Sequence, residues 1–380
     1  MMVLQIALDL RVAFHERRGI PRYVQNFAKT ILGMEINGFD IFFLIPTHHK
    51  KEAEEILSLR ENSNIVFLEE KTIWHWEQFL LPKWCKEEKI ELLHMFTNRG
   101  PVFNRGVADV HVVHDTIAIH EGIKEKGLFK GISGILYNFF TIKLSAKTSS
   151  HLITVSNFSK ETILKELRVP PSKVSVVYNG VDPMFFNPPE LEIEKLNLPK
   201  KSFLFHLGSY EPRKNTLRVL QAYSGLKEET RRDFPLVIAG LSQKAKEKFC
   251  PIIQELGIEK DVVVLPFISD EDLAGLYHNC LAFVWPSCWE GFGLPVLEAM
   301  AAGAPVLTSN ATSLPEISGG CALLVDPFKV GEIKEGIIRL ISDYTLREKM
   351  REKGKAWAQQ FTWENTVKKT IEIWKEVLGS

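Results

Sequence analysis

The stretch VWPSCWEGFGLPVLEAMAAGAPVL, residues 284–307, contains a complete strand–loop–helix–strand unit. A buried apolar run stops at Pro286, a loop carries Glu290, Gly291 and Gly293, and Pro295 stands where the first helical position is expected. Proline fits there because the N–H it lacks would be unpaired in any case. A glycine-containing loop that runs into a helix N-terminus presents free backbone N–H groups and the positive end of the helix dipole, which suits a phosphate. Glu298 falls one turn inside the helix. Two carboxylates beside a phosphate would repel it unless they face hydroxyl groups, so Glu290 and Glu298 are assigned to ligand hydroxyls; the plain alternative is a pair of solvated surface charges.

The same alternation of short apolar runs and amphipathic ones extends in both directions. Strands are expected at Val3–Leu8, Phe39–Ile45, Ile65–Leu68, Leu92–Met95, Val110–Val113, Leu152–Val155 and Val174–Val177, with helical patterns such as Tyr23–Leu32 and Ser159–Leu167 between them. After Val177 four prolines, Pro183, Pro188, Pro189 and Pro199, interrupt any regular ladder and mark a domain boundary. Beyond it strands are expected at Phe203–Leu207, Leu236–Ala239, Val262–Leu265, Leu281–Trp285, Ala304–Thr308 and Ala322–Val325. Helices are expected at Thr216–Ser224, Gln243–Leu256, Asp270–His278 and Pro295–Ala302. The tail from Val330 reads as helix broken near Phe361–Thr362. Strand and helix in alternation predict two doubly wound α/β domains facing each other across a cleft, with ligands just beyond the carboxyl ends of the strands.

Composition narrows the function. The 380 residues are 45% hydrophobic and 25% charged, an ordinary globular balance with enough apolar material for more than one core. Lys+Arg and Asp+Glu both total 47, so no domain-wide basic field for nucleic acid exists. The five cysteines, Cys85, Cys250, Cys280, Cys288 and Cys321, are scattered and contain no C-x-x-C pair, which fits reduced thiols in a cytoplasmic protein. The opening MMVLQIALDL has no basic n-region and reads as a first strand rather than a signal peptide. No uncharged apolar run is long enough to span a bilayer.

Two further stretches carry chemistry. In LFHLGSYEPRKNTLRVL, 204–220, a strand ends at Gly208, and Arg213 and Lys214 stand on the loop before the helix that opens at Thr216. Arginine offers planar bidentate contact to phosphate and lysine a point charge, so the pair suits a diphosphate; alone, such a pair is a common solubility feature. In VHVVHDTIAIHEG, 110–122, His114 and Asp115 follow an inner strand and point to a ligand, the alternative being a histidine satisfied locally. Asp270-Glu271-Asp272 has the look of a metal-binding D-x-D, but Ser269 and the acids precede the apolar positions Leu273, Leu276 and Tyr277. A helix cap followed by first-turn acids accounts for them, and no metal is expected.

Glu290 and Glu298 at E-x7-E spacing around GFGLP, the RKN loop, VSNFSKETI at 155–163 and VSVVYNGVDPMFF at 174–186 together resemble the retaining glycosyltransferases of family 4. The resemblance runs from RGIPRYV at 18–24 to FTWENTVKKTIEIW at the end, and its opening is similar to the mannosyltransferase branch of bacterial surface polysaccharide synthesis. It implies the GT-B architecture: an acceptor-side Rossmann-like domain at 1–185, rejoined by a helix at about 363–380, and a nucleotide-sugar-binding domain at 186–362, with a deep cleft between. It implies that Arg213 and Lys214 neutralise the donor diphosphate, that Glu298 binds the ribose hydroxyls, and that Glu290 with the amides of Phe292, Gly293 and Leu294 holds the transferred sugar and β-phosphate. Gly208 and Gly19 would allow close approach of backbone to ligand, and His114 with Asp115 would lie near the transferred sugar. The family's usual Gly-Gly pair after the first strand is Arg18-Gly19 in this chain, which departs from the pattern.

The expected reaction is transfer of a hexose, with GDP-mannose the favoured donor, to a saccharide or lipid-linked acceptor without a tightly bound cofactor. A UDP- or dTDP-sugar donor, a non-catalytic sugar-nucleotide-binding subunit, and a sugar-nucleotide epimerase are the alternatives. Residues 123–150 carry five lysines, Lys124, Lys126, Lys130, Lys143 and Lys147, and one acid, Glu125, around Phe129, Tyr137, Phe139 and Phe140. That segment suits peripheral contact with an anionic membrane, or a helix packed on its own domain with solvated lysines.

Overall fold

The computed structural model describes residues 3–14, 19–57, 64–102, 106–117, 132–190, 196, 198, 202–266 and 268–379, with backbone alone over 132–139. The chain divides into two compact units, one formed by Met1–Gly180 with Trp363–Ser380 and the other by Val181–Thr362. The division falls a few residues before the proline-marked boundary. Phe185 is fully buried and its ring packs on Tyr277, while the Val181 N–H donates to Phe361 O, so the segment after Gly180 belongs to the second unit.

The first unit is built on seven parallel strands: β1 Leu4–Asp9, β2 Phe39–Pro46, β3 Asn64–Leu68, β4 Leu92–Met95, β5 Ala108–Val112, β6 His151–Thr154 and β7 Val174–Val176. Their order across the sheet is β3-β2-β1-β4-β5-β6-β7. The second unit carries β8 Leu204–Leu207, β9 Leu236–Ala239, β10 Val262–Val264, β11 Ala282–Trp285, β12 Val306–Ser309 and β13 Leu323–Val325 in the order β10-β9-β8-β11-β12-β13. Both sheets are parallel throughout, and the inner strands β4, β8 and β11 are buried along their length, as expected where helices cover both faces. Strand order reverses between β1 and β4 in one sheet and between β8 and β11 in the other, the position at which such sheets bind ligands beyond their carboxyl ends.

Helices start where the sequence supplies a cap. Ser156, Ser242 and Ser269 accept from the N–H groups of Ser159, Ala245 and Asp272. Asp270, Glu271 and Asp272 therefore occupy the first turn of Asp270–Asn279, facing the positive end of its dipole. The tail breaks twice rather than once. Asp343 caps Tyr344–Ala358 through Leu346 N–H at 2.8 Å, a second interruption that the continuous apolar periodicity hides.

Of the basic aromatic segment, Lys124, Glu125, Lys126, Phe129 and Lys130 lie outside the described residues, as do the side chains of Tyr137 and Phe139. The remainder belongs to the helix Ile132–Thr148, on which Phe140 and Leu144 are exposed while Ile142 and Ala146 are buried. Among the described residues no helix is long and apolar enough to cross a membrane.

The last helix, Trp363–Leu378, packs on Ile20–Gly33 within the first unit. Trp374 is fully buried there; its Nε1–H donates to Nδ1 of His94 at 3.1 Å and its ring meets Phe39 and His94. Replacing Trp374 by Ala should lower the unfolding free energy by about 3–5 kcal/mol, the usual cost of truncating a buried tryptophan, measured by urea denaturation. A loss below about 1 kcal/mol would show that the helix is anchored elsewhere.

Candidate active site

The second unit assembles its site from the connections that follow β8 and β11, adjacent strands whose loops leave the same edge of the sheet. β8 ends at Gly208, whose N–H donates to Ala239 O at 2.7 Å. A Cβ at this position would lie 2.5 Å from Leu241 Cδ2 and 2.7 Å from Ile238 Cγ2, so any side chain here would have to displace these neighbours. A 3-10 turn, Pro212–Lys214, then carries the basic pair, and Asn215 enters the helix Thr216–Ser224 in the left-handed region at φ 66°. The buried Asn215 amide donates to Pro286 O at 2.8 Å and Pro327 O at 2.7 Å, and Arg213 O accepts from Cys288 N–H and the Ser287 hydroxyl.

The chemistry converges on Glu290. Its Oε1 lies 2.7 Å from Lys214 Nζ and its Oε2 lies 3.4 Å from Arg213 Nη1, while Arg213 Nη2 reaches the exposed Glu211. The same Lys214 Nζ stands 5.1 Å from the centre of the Trp285 ring, a cation–π contact. Burial raises the Glu290 carboxyl pKa, but Lys214 and then Arg213 outweigh it, and the net result lies below the usual carboxylate range. Glu290 is thus an ionised carboxylate with 9% of its side chain exposed. Glu298, on Leu294–Ala301, is only 4% exposed. The solvated-charge reading of the two glutamates is overturned, because each lies inside the fold of its loop or helix.

The loop between them is fixed from a third strand. The Ser313 hydroxyl lies 2.9 Å from Glu290 O and 2.8 Å from Phe292 O, sharing one proton between two acceptors, and Thr312 Oγ1 accepts from the Glu290 N–H. Gly293 enters the helix at φ 107°, and a Cβ there would meet Leu314 Cδ2 at 2.6 Å. The helix begins at Leu294, one residue before the expected proline start, with Pro295 still inside its first turn. Gly291 and Phe292 complete the loop, Phe292 being buried.

In the first unit Gly19 stands before the helix Ile20–Gly33 at φ 69° and ψ −132°, a conformation open to glycine and strained for other residues. Its carbonyl accepts from Tyr23 N–H, and the Tyr23 ring packs edge-on against His114 at 4.8 Å, so Gly19 and His114 are joined through one buried tyrosine. His114 Nε2 lies 3.2 Å from Phe96 O, an acceptor, so this nitrogen carries the proton and Nδ1 keeps its lone pair. Burial pushes the His114 pKa down to about 4 against that hydrogen bond. Asn98 accepts from His114 N–H and donates to Asp115 O, and the Asp115 carboxylate accepts from Ile117 N–H. Tyr23, Asn98, Asn215 and Ser313 escape the sequence reading, since their value lies in partners far along the chain. For the last two a faint signal exists, in that polar residues follow the apolar runs of β8 and β12.

His206 supports the basic loop from below. Nδ1–H donates to Val284 O at 2.8 Å, which leaves Nε2 to accept the Thr216 hydroxyl at 3.1 Å, and Thr216 Oγ1 in turn accepts from Ser209 N–H. Burial lowers His206 to about 4 and His94 to about 3. These three histidines charge in the unfolded chain near pH 6.5 but in the folded one only near pH 3–4. The unfolded state therefore binds more protons in that window, and stability present above pH 6.5 should fall as pH drops toward 4. Urea unfolding across this range should show a shallower pH dependence for His206→Gln than for the parent chain; identical slopes would contradict the neutral buried state.

Comparison with known proteins places the chain in a family. Residues 17–185 match the family described as Glycosyltransferase Family 4 and residues 189–357 match Glycosyl transferases group 1. The O-antigen chain mannosyltransferase B of Escherichia coli is 34% identical over 235 residues, 61% of this chain and 62% of that one. The serotype-specific mannosyltransferase WbdA of Escherichia coli is 35% identical over 189 residues, 49% of this chain and 23% of that one. The chain thus spans less than two thirds of the length of these relatives. Among solved structures, Anabaena Alr3699/HepE in complex with UDP and glucose has the same fold, with TM-score 0.76 at 17% identity over 98% of this chain and 100% of that one. Its two parallel-sheet units, the two matched families and these relatives together assign the chain: it belongs to glycosyltransferase family 4, with the two-Rossmann-domain GT-B fold.

Proposed function

We propose that this chain transfers mannose from GDP-mannose to a saccharide or lipid-linked saccharide acceptor in cell-surface polysaccharide synthesis, with retention of configuration. The observation that carries the proposal is the 2.7 Å approach of Lys214 to Glu290, which puts a cation suited to a leaving diphosphate and a carboxylate suited to sugar hydroxyls at one point. The names of the two Escherichia coli relatives support the mannosyl choice and the polysaccharide setting.

In this reading Arg213 and Lys214 stabilise the negative charge that grows on the departing diphosphate, and no metal ion or tightly bound cofactor takes part. Charge stabilisation of this kind is the largest contribution when the site is ordered before reaction. Glu298 accepts hydrogen bonds from the ribose hydroxyls, and Glu290 with the amides of Phe292, Gly293 and Leu294 holds the sugar and β-phosphate. Gly208 and Gly19 let the backbone come close to the ligand. His114, neutral with a free lone pair on Nδ1, accepts from a sugar hydroxyl, and Asp115 keeps the chain after β5 in position. The acceptor hydroxyl attacks from the face the diphosphate leaves, through an oxocarbenium-like state that needs no protein nucleophile. A peripheral membrane contact through residues 123–150 would put the chain beside a membrane that presents a lipid-linked acceptor.

A second donor reading is favoured by the Anabaena complex with UDP and glucose, namely a UDP-sugar on the same residues. Thermal-shift measurements with GDP-mannose, UDP-glucose, UDP-N-acetylglucosamine and dTDP-rhamnose separate the two, since a ligand at about 100 times its Kd adds roughly 2.7 kcal/mol. GDP-mannose should give the largest shift, and the anomeric configuration of the product, read by NMR, should match that of the donor. Glu298→Ala and Lys214→Ala should each cost about 1.5–3 kcal/mol in kcat/KM, the worth of a hydrogen bond to a charged group. Unchanged turnover in both variants would sink the assignment, and donor binding without turnover to any acceptor would favour a non-catalytic subunit.

A further inference from the structure

Hydrogen bonds hold His114 at three points. Its N–H donates to Asn98 Oδ1 at 3.0 Å, its carbonyl accepts from the Ser159 hydroxyl at 3.2 Å, and its Nε2–H donates to Phe96 O at 3.2 Å. The first two fix the main chain. The third anchors one corner of the imidazole, but the last torsion of a histidine has a broad profile, so one bond leaves the ring plane poorly defined. The lone pair on Nδ1 lies in that plane, and a hydrogen bond made to it weakens steeply once its angle falls below about 120°.

Packing supplies the missing constraint. The Tyr23 ring stands at 84° to the imidazole with centroids 4.8 Å apart, an arrangement that aromatic quadrupoles favour. Tyr23 is only 1% exposed and cannot turn aside, because Phe27, Phe96 and Trp363 surround it at ring-centre distances of 6.2, 6.0 and 5.3 Å. Trp363 opens the last helix, Trp363–Leu378, which is tied to the segment after β7 by the Thr366 hydroxyl, donating to Tyr178 O at 2.8 Å. The polar atoms of the two aromatic side chains take no part: Tyr23 OH and Trp363 Nε1 are buried and have no hydrogen-bond partner among the described residues. It is the rings that hold the imidazole.

We infer that Tyr23, braced by Trp363 of the last helix, is the positioning residue that sets the ring plane of His114 and so aims its Nδ1 at a sugar hydroxyl. That a sugar hydroxyl is the target rests on the transfer reading above; the bracing of the imidazole does not. Both aromatic residues act through His114 and not on the ligand. The Tyr23 ring also shields the imidazole from water. Burial lowers the proton affinity of His114 and the Phe96 carbonyl raises it, while the adjacent Asp115 carboxylate accepts from Ile117 N–H.

The test is a double-mutant cycle on the full chain, with GDP-mannose turnover, donor KM and GDP affinity measured for Tyr23→Leu, His114→Ala and the double variant. Tyr23→Leu should lower kcat about tenfold, as displacement of a catalytic group does, with GDP affinity unchanged. It should cost nothing further once His114 is alanine, since residues that act as a unit are not additive. Tyr23→Phe and Trp363→Phe, which keep a ring, should retain the parent's kcat, and Trp363→Leu carries the same test should Tyr23→Leu fail to fold. Nitrogen-15 NMR of the imidazoles follows the ring without substrate. The His114 resonances, identified by their loss in His114→Ala, should titrate near pH 4 in the parent and move toward 6.5 in Tyr23→Leu. Identical titration in the two chains, or a Tyr23→Leu loss that multiplies the His114→Ala loss in the double variant, overturns the proposal. If His114→Ala turns over as fast as the parent, or the parent transfers from none of the four donors above, the transfer reading of His114 fails and the NMR shift alone decides the bracing.

Discussion

A carboxylate placed out of reach of water must be paired, and the second unit is organised around that requirement at Glu290. Leaving it buried and alone would cost several kcal/mol, so Lys214 and Arg213 must come to it. They arrive on the connection that follows β8, while Glu290 arrives on the one after β11, and the two strands lie side by side in the sheet. One ion pair therefore links the two loops, with close side-chain packing on Gly208 and the left-handed backbone of Gly293 shaping each of them. The same electrostatics that complete the fold leave two cations beside one carboxylate beyond the carboxyl ends of β8 and β11.

The basic pair is shared between two carboxylates. Arg213 divides its guanidinium between Glu290 and the more exposed Glu211. Both cations of the loop are therefore oriented and partly neutralised by carboxylates of their own unit. In the first unit the corresponding groups are neutral: His114 is uncharged at physiological pH and faces Tyr23 rather than a carboxylate. The candidate groups of the two units thus differ in kind, an ion pair in the second and a neutral buried imidazole in the first.

Much of this was legible in the residues. Strands of a parallel sheet are covered on both faces, so runs such as Leu236–Ala239 and Ala282–Trp285 are wholly apolar and announce themselves without alternation. Serine caps at 156, 242 and 269 mark helix starts just as clearly. What the residues do not disclose is pairing at long range. Lys214 and Glu290 are 76 positions apart, and nothing local says that the basic pair meets a glutamate of the same chain. Tyr23 reads as one more core aromatic until it is found against His114. The π turn at Trp76–Leu80 has the same composition as a helix of ordinary pitch, so only its hydrogen-bond pattern separates them.

The double hydrogen bond of the Asn215 amide has a thermodynamic consequence. It ties the start of the helix Thr216–Ser224 to Pro286 and Pro327, joining the connections after β8, β11 and β13 into one ordered rim. A nucleotide that settles against a rim already in place orders little of the chain, so the loss of conformational entropy on binding is small. The heat-capacity change of association then reflects the surface the ligand itself buries, with little added from folding of loops around it.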